Sequence, residues 1–129
     1  IRDSINIQEG RYSIRINESL EFSPGYTGKL RELRAGPSSV VEVSVAFTAS
    51  EMLPQTHLVL SMDHQGKNIY WKGELMAPYQ ISVNKWNRAF LVASLPENLT
   101  GDEEIKIYIW NSGKGRFWID DMQINVYLR

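Results

Sequence analysis

The C-terminal part of the sequence carries three large aromatic side chains that could bind a ligand by stacking. In the segment Ile105–Asn111, isoleucines alternate with Lys106, Tyr108 and Trp110. A strand with this period of two turns its isoleucines towards a core and its other side chains outwards. The same alternation places Trp118 on the outer face of the next strand. If the two strands pair as a hairpin, these rings form one aromatic surface, and flat rings can cover the C–H faces of a sugar.

Polar side chains close to these rings could bind the hydroxyl groups of the same sugar. Gln123 and Asn125 follow in the last strand, and Arg88 lies in an earlier apolar strand. The two amides donate and accept hydrogen bonds, and the guanidinium donates several in a fixed geometry. We therefore group these three residues with the aromatic surface as candidate ligand-binding residues.

Burial is the alternative for the same rings. The opposite sheet, a crossing loop or a partner domain could cover Tyr108, Trp110 and Trp118, which would then contribute to packing and not to binding. Trp71 and Trp86 are expected mainly to pack. Exposure of the rings would distinguish the two interpretations.

The last strand changes phase at two neighbouring carboxylates. Phe117 and Ile119 share one parity, whereas Met122 and the apolar residues after it share the other. A strict period of two cannot point both sets into one core, so we predict a β-bulge at Asp120-Asp121. Two roles for these carboxylates stay open: hydrogen bonds from backbone N–H groups, or a calcium ion held by Asp120 and carbonyl oxygens. Adjacent strand residues do not provide the separated carboxylate pair of a glycosidase.

No combination of residues in the sequence assembles a reaction centre. Cysteine is absent, and the Gly-x-Ser-x-Gly turn of a serine nucleophile does not occur. The two histidines, His57 and His64, have opposite parity in one predicted strand, so we do not expect them to share a metal ion. Gly113-Lys-Gly115 is too short for a phosphate-binding loop and predicts a hairpin turn. We expect a protein that is not an enzyme.

Composition limits the class of protein. A chain of 129 residues, of which 43% are hydrophobic, supports one domain with a core and not two. The net charge of −1, from 14 basic and 15 acidic residues, gives no electrostatic argument for nucleic acid or for an anionic membrane surface. No window is long and apolar enough to insert across a membrane. Because the chain starts at Ile1 and not at Met, we interpret residues 1–129 as one domain excised from a longer exported or membrane-anchored protein.

Strand signals recur along nearly the whole chain and predict an all-β protein. Alternating or apolar runs are separated by clusters of Gly, Pro, Asn and Ser at the spacing of about 8–12 residues typical of such domains. Only the segment 29–34, with Leu30 and Leu33 at helical spacing, leaves a short helix open. The pattern predicts two antiparallel sheets packed as a β-sandwich. The runs cover residues 12–16, 41–47, 58–62, 69–71, 79–83, 89–95, 105–111 and 117–127.

Four segments between residues 85 and 127 resemble a known family. They are Lys85-Trp86, Phe90–Pro96, Ile105–Trp110 and Phe117–Met122. They are similar to the C-terminal half of jelly-roll carbohydrate-binding modules of the family 4, 9 and 22 type. Those modules have a Trp before an apolar strand that ends in Leu-Pro, then an alternating strand with Tyr, and last an aromatic-x-Ile-Asp-Asp-apolar strand. The region 21–28 departs from the opening motifs of that family.

The resemblance implies a fold, a function and a location. The fold would be a galactose-binding-like jelly roll, and the function non-catalytic glycan binding by an accessory domain of an extracytoplasmic protein. In such modules the first Asp of the pair commonly joins a structural calcium site, which corresponds to Asp120 here. The second interpretation is a structural or interaction domain without sugar binding of its own. It would belong to a larger bacterial surface or membrane-bound protein, such as a glycosyltransferase, and bury the aromatic side chains against its neighbouring domains.

Overall fold

The computed structural model describes residues 2–6, 11–14, 22–113 and 115–127. In this part of the chain, regular structure consists of β-strands and two short 3₁₀ turns, Leu30–Leu33 and Ala77–Tyr79. The strands are β1 (Arg2–Asn6), β2 (Arg11–Ile14), β3 (Phe22–Lys29), β4 (Val40–Thr48), β5 (His57–His64), β6 (Lys67–Leu75), β7 (Asn87–Ser94), β8 (Glu104–Trp110) and β9 (Trp118–Tyr127).

The strands form two antiparallel sheets. The five-stranded sheet has the order β1-β2-β9-β4-β7, and the four-stranded sheet has the order β3-β8-β5-β6. The sequence-based prediction of an all-β protein with two sheets is therefore confirmed. Among the residues described, no helix is long and apolar enough to cross a membrane.

Alternating apolar side chains fill the space between the two sheets. Burial of each large aliphatic side chain contributes about 1.5–3 kcal/mol relative to exposure, so this layer supplies most of the stability. The segment for which a short helix was left open forms a single 3₁₀ turn, with Leu30 and Leu33 in the core. The buried side chains of two inner strands are Val41, Val43, Val45 and Phe47 on β4 and Ile105, Ile107 and Ile109 on β8.

The β-bulge predicted for the last strand is present. Ser44 of β4 pairs with Gln123, whereas Ala46 pairs with Asp120, so one residue of β4 lies opposite two residues of β9. Asp121 takes the left-handed conformation that accommodates the extra residue, with φ of 51°. Because of this phase change, Ile119 before the bulge and both Met122 and Ile124 after it are buried in the core.

The connection between β8 and β9 carries the chain from one sheet to the other. Asn111 is fully buried at its start. Its Oδ1 accepts a hydrogen bond from the Gly115 N–H at 3.1 Å, and its Nδ2 donates to the Gly115 carbonyl at 2.8 Å. The Thr56 hydroxyl donates to the same Oδ1 at 3.3 Å. The Asn111 side chain thus links the start of this connection to Gly115 near its end and to Thr56 in the loop before β5.

The prediction that β8 and β9 form a hairpin is therefore wrong. Trp110 ends a strand of the four-stranded sheet, and Trp118 begins a strand of the five-stranded sheet. The glycines that suggested a tight turn serve a different purpose. A Cβ at Gly113 or Gly115 would lie 2.7 or 2.6 Å from an atom of Pro54, so glycine is needed for close packing against that ring.

A buried carboxylate organises the loop between β7 and β8. Glu103 is only 3% exposed, and its carboxylate accepts hydrogen bonds from the Thr100 N–H at 2.9 Å and the Gly101 N–H at 2.8 Å. The Thr100 hydroxyl donates to it at 3.2 Å. Burial alone would raise the pKa of Glu103, but these hydrogen bonds outweigh burial and hold the pKa below its usual value of 4.5.

Glu103→Gln should lower the free energy of unfolding at neutral pH by about 2 kcal/mol, because the amide replaces a charged acceptor of several N–H groups. Since the folded-state pKa of Glu103 is lowered, its contribution is present above the unfolded pKa and is lost as the pH falls through the folded one. The difference between wild type and variant should therefore shrink below pH 4.5.

Chemical denaturation across this pH range would measure both effects, with the exposed neighbour replaced in Glu104→Gln as the matched control. A pH-independent difference, or an equal loss in the control, would contradict the role assigned to Glu103.

Candidate functional site

Strand register defines the outer face of the five-stranded sheet. Outward side chains of β7, β4 and β9 lie side by side in rows. On β4, which runs between the other two strands, Ala46 and Ser44 are small, so a shallow trough follows this strand between larger flanking side chains. The rows are Arg88, Ala46 and Asp120; then Phe90, Ser44 and Gln123; then Val92, Glu42 and Asn125.

Arg88 crosses this trough and ties β7 to the bulge of β9. Its Nη1 donates to the Ser44 hydroxyl at 2.6 Å and to the Asp121 carbonyl at 3.3 Å. Its Nη2 donates to Asp121 Oδ2 at 2.7 Å, and Gln123 Nε2 donates to the same oxygen at 2.9 Å. The bulge thus brings a guanidinium, a carboxylate and an amide together on one surface.

The rest of this surface is polar in the middle and apolar at its margins. Asn125 Nδ2 donates to Glu42 Oε1 at 3.3 Å, one row beyond Gln123. Trp118 and Phe90 are both half-exposed on the same face. We call this surface, bearing Glu42, Ser44, Arg88, Phe90, Trp118, Asp121, Gln123 and Asn125, the polar face.

Four of the six predicted ligand-binding residues lie on the polar face. They are Arg88, Trp118, Gln123 and Asn125. Tyr108 and Trp110 project from β8, which belongs to the other sheet. The prediction of one continuous aromatic surface is therefore wrong, because the crossing of the chain between sheets puts the two groups on opposite sides of the sandwich.

The outer face of the four-stranded sheet carries its own aromatic cluster. The ring centroids of Trp110 and Trp71 are 6.4 Å apart at 83°, and those of Trp110 and His57 are 5.6 Å apart. Val59 points outwards on this side yet is fully buried, between neighbours Tyr108 and Gly73 on the flanking strands. We call His57, Val59, Trp71, Tyr108 and Trp110 the aromatic face.

Glycine at position 73 leaves room for Trp71 on this face. A Cβ there would lie 2.5 Å from the Trp71 ring. Trp71 is nevertheless 48% exposed and Trp86 57% exposed. The prediction that these two residues mainly pack is therefore wrong for Trp86 and incomplete for Trp71.

Sequence reasoning did not identify Asp121, Ser44 and Glu42 as parts of the polar face. Parity along β4 could have placed Glu42 and Ser44 outwards, opposite the buried valines. Asp121 was expected only at a bulge, because the side chain that reaches it, Arg88, comes from a strand two positions away in the sheet.

Asp120 is placed next to the same bulge. Its Oδ1 accepts a hydrogen bond from the Asp121 N–H at 2.8 Å, as the first of the two open roles requires. Among the residues described, no group of three or more His, Cys, Asp or Glu is placed to hold a metal ion. A calcium site would therefore depend on Asp120 and backbone carbonyls, and it stays a prediction.

Comparison with solved structures identifies the fold. The chain is similar to a solved structure described as family 16 carbohydrate-binding module-2, with 9% identity and a TM-score of 0.53 over 88% of this chain and 75% of that one. It is also similar to the CBM22-1 xylan-binding domain from Paenibacillus barcinonensis Xyn10C, with 17% identity and a TM-score of 0.54 over 94% and 76% of the two chains. The domain therefore has the jelly-roll β-sandwich fold of carbohydrate-binding modules. No family model and no curated protein matches the sequence.

Asp120→Asn tests the two roles of this carboxylate. Because asparagine retains an oxygen that can accept the Asp121 N–H, the observed hydrogen bond predicts a fall in Tm of about 3 °C or less, equal in calcium and in chelator. Thermal unfolding of both proteins in the two buffers would measure it. A calcium-dependent rise in wild-type Tm that the variant abolishes would instead establish a metal site.

Proposed function

We propose that this domain binds carbohydrate without catalysis and that the polar face is its binding surface. The observation that carries the proposal is the set of neighbouring hydrogen-bonding groups on Arg88, Asp121, Gln123 and Asn125. The half-exposed rings of Trp118 and Phe90 lie on the same face. The fold shared with carbohydrate-binding modules supports this proposal.

The chemistry of the polar face suits a sugar chain. Hydroxyl groups bind well to planar groups that donate and accept hydrogen bonds at fixed angles, and Arg88 and Gln123 present such groups. Their mutual hydrogen bonds to Asp121 fix their rotamers before a ligand arrives, which lowers the entropy cost of binding. Both members of the Arg88–Asp121 ion pair remain about 30% exposed, so ligand hydroxyls can reach them.

Aromatic rings at the margin of the polar face would supply the apolar part of the contact. The C–H face of a pyranose stacks on a flat ring, and both Trp118 and Phe90 expose 40% of their surface. Because its hydrogen-bonding groups extend over three rows of the sheet, the polar face suits an extended polysaccharide better than a single sugar. We further propose an extracytoplasmic accessory role for the domain.

A second candidate function is supported by the aromatic face. Trp71 and Leu75, both on β6, remain substantially exposed on this face. Val59 on the adjacent strand β5 points to the same side and is fully buried. Such a patch suits contact with another domain of a larger bacterial surface or membrane-bound protein. In that case the domain would serve as a structural module without binding sugar.

Trp118→Ala and Trp71→Ala separate the two functions, because the two rings are 40% and 48% exposed and lie on opposite faces. Trp118→Ala should weaken glycan binding about tenfold through loss of stacking, whereas Trp71→Ala should leave it unchanged. A glycan array followed by affinity electrophoresis in polysaccharide gels, xylan included, would measure both.

Gln123→Ala should weaken binding in the same assay and preserve the fold, which circular dichroism would check. Loss of binding in Trp71→Ala alone would move the site to the aromatic face. A blank array with well-folded wild-type protein would favour the structural function.

A further inference from the structure

Two loops at one end of the sandwich are fastened to each other. Gln80, which is buried, accepts a hydrogen bond from the Leu53 N–H at 2.7 Å and donates to the Glu51 carbonyl at 2.9 Å. The Asn84 N–H donates to the Ala49 carbonyl at 2.7 Å. The loop 80–86 therefore rests on the loop 49–56. We call these two loops, together with the adjoining connection 111–117, the end loops.

Part of the backbone of the loop 80–86 is hydrogen-bonded by the protein itself. Asn87 Oδ1 accepts the Ile81 N–H at 2.9 Å, and its Nδ2 donates to the carbonyls of Ser82 at 3.1 Å and Lys85 at 3.0 Å. These hydrogen bonds fix the shape of the loop. They also lower the cost of bringing it to the boundary between water and lipid, where unsatisfied backbone groups are unfavourable.

The same loop directs its apolar side chains away from the protein. Ile81 is 89% exposed, and Trp86 and Val83 are exposed on the same turn. Met52 of the neighbouring loop is exposed as well. Leaving an isoleucine almost wholly in water is unfavourable unless something else covers it.

Basic residues accompany these apolar side chains. Among the residues described, the end loops contain two basic residues, Lys85 and Arg116, and one acidic residue, Glu51. The segment 75–96, which includes the exposed turn, contains no Asp or Glu at all. The net charge of −1 for the whole chain therefore conceals a positive end.

We propose that the end loops bind the surface of an anionic lipid bilayer. Ile81, Val83 and Trp86 would enter the boundary between headgroups and acyl chains, where isoleucine and valine are buried and tryptophan is favoured. Lys85 and Arg116 would lie at the level of the lipid phosphates. A bilayer offers apolar and anionic groups at adjacent depths, which is the arrangement that these loops present.

The shape of the end loops favours a bilayer over a protein partner. Protein interfaces are broad and closely packed, whereas the exposed apolar side chains here come from one short turn and from Met52 beside it. The domain would lie on the membrane and not span it. This interaction is separate from the proposed glycan binding, because the loops lie beyond the strand ends and not on the polar face.

Vesicle flotation of the 129-residue chain tests the proposal. The chain should bind vesicles of equal parts phosphatidylcholine and phosphatidylglycerol, and bind pure phosphatidylcholine more weakly. Ile81→Ser should reduce partitioning into the mixed vesicles about tenfold through loss of apolar insertion. The matched control is Ile69→Ser, at an exposed isoleucine near the opposite end of the sandwich, which should leave partitioning unchanged.

A second pair of variants tests whether the positive charge of the end loops contributes to vesicle binding. Lys85→Glu should weaken binding to the mixed vesicles and leave binding to pure phosphatidylcholine little changed, whereas Lys67→Glu, at the start of β6, should change neither. Absence of wild-type binding to both vesicles, or equal losses in Ile81→Ser and Ile69→Ser, would overturn the proposal. The end loops would then be assigned to a protein contact.

Discussion

The arrangement of both outer faces depends on how one buried amide fixes the crossing between β8 and β9. Asn111 holds Gly115 by two hydrogen bonds and receives a third from Thr56, so the chain leaves one sheet and enters the other. A buried amide whose partners were removed would cost more than the hydrogen bonds themselves contribute. The crossing therefore determines that Trp110 and Trp118 lie on opposite sides of the sandwich.

The bulge in β9 has a comparable effect on the polar face. It returns the strand to the phase in which Met122 is buried, and it turns Asp121 into a position where Arg88 and Gln123 both reach it. The extra residue that restores core packing after the bulge thus also places Asp121 where it binds Arg88 and Gln123. Core packing and the arrangement of the candidate site are therefore linked through a single backbone irregularity.

Sequence alone predicts those features that depend on local periodicity. Alternation along β4 and β8, and the change of parity after Ile119, were sufficient for these strands, the sandwich and the bulge. The run 79–83 alternates in the same way, yet it forms the end of a 3₁₀ turn and a loop, and β3 was not predicted. Which strands pair is a non-local property, and Gly113 and Gly115 suit both a hairpin and close packing against Pro54. The hairpin prediction failed at that point, and with it the expectation that Trp110 and Trp118 share a surface.

The sequence also did not predict which large side chains would be exposed at the surface. Trp86 was expected mainly to pack, yet 57% of it is exposed. The position of its loop depends on the non-local hydrogen bonds of Gln80 to Leu53 and Glu51, which the sequence does not reveal. Arg88, Gln123 and Asn125 were identified by chemical type. The anchor that Arg88 and Gln123 share at Asp121 requires β7, β4 and β9 to be in place.

The most direct test of the polar face as a binding surface is an NMR titration of the labelled domain with soluble oligosaccharides, xylo-oligosaccharides included. If the polar face binds carbohydrate, amide and side-chain shifts should change around Arg88, Asp121 and Gln123, on β4, β7 and β9, while those of β5 and β6 stay constant. Changes centred on Trp71 and Trp110, or no change with any oligosaccharide, would contradict it.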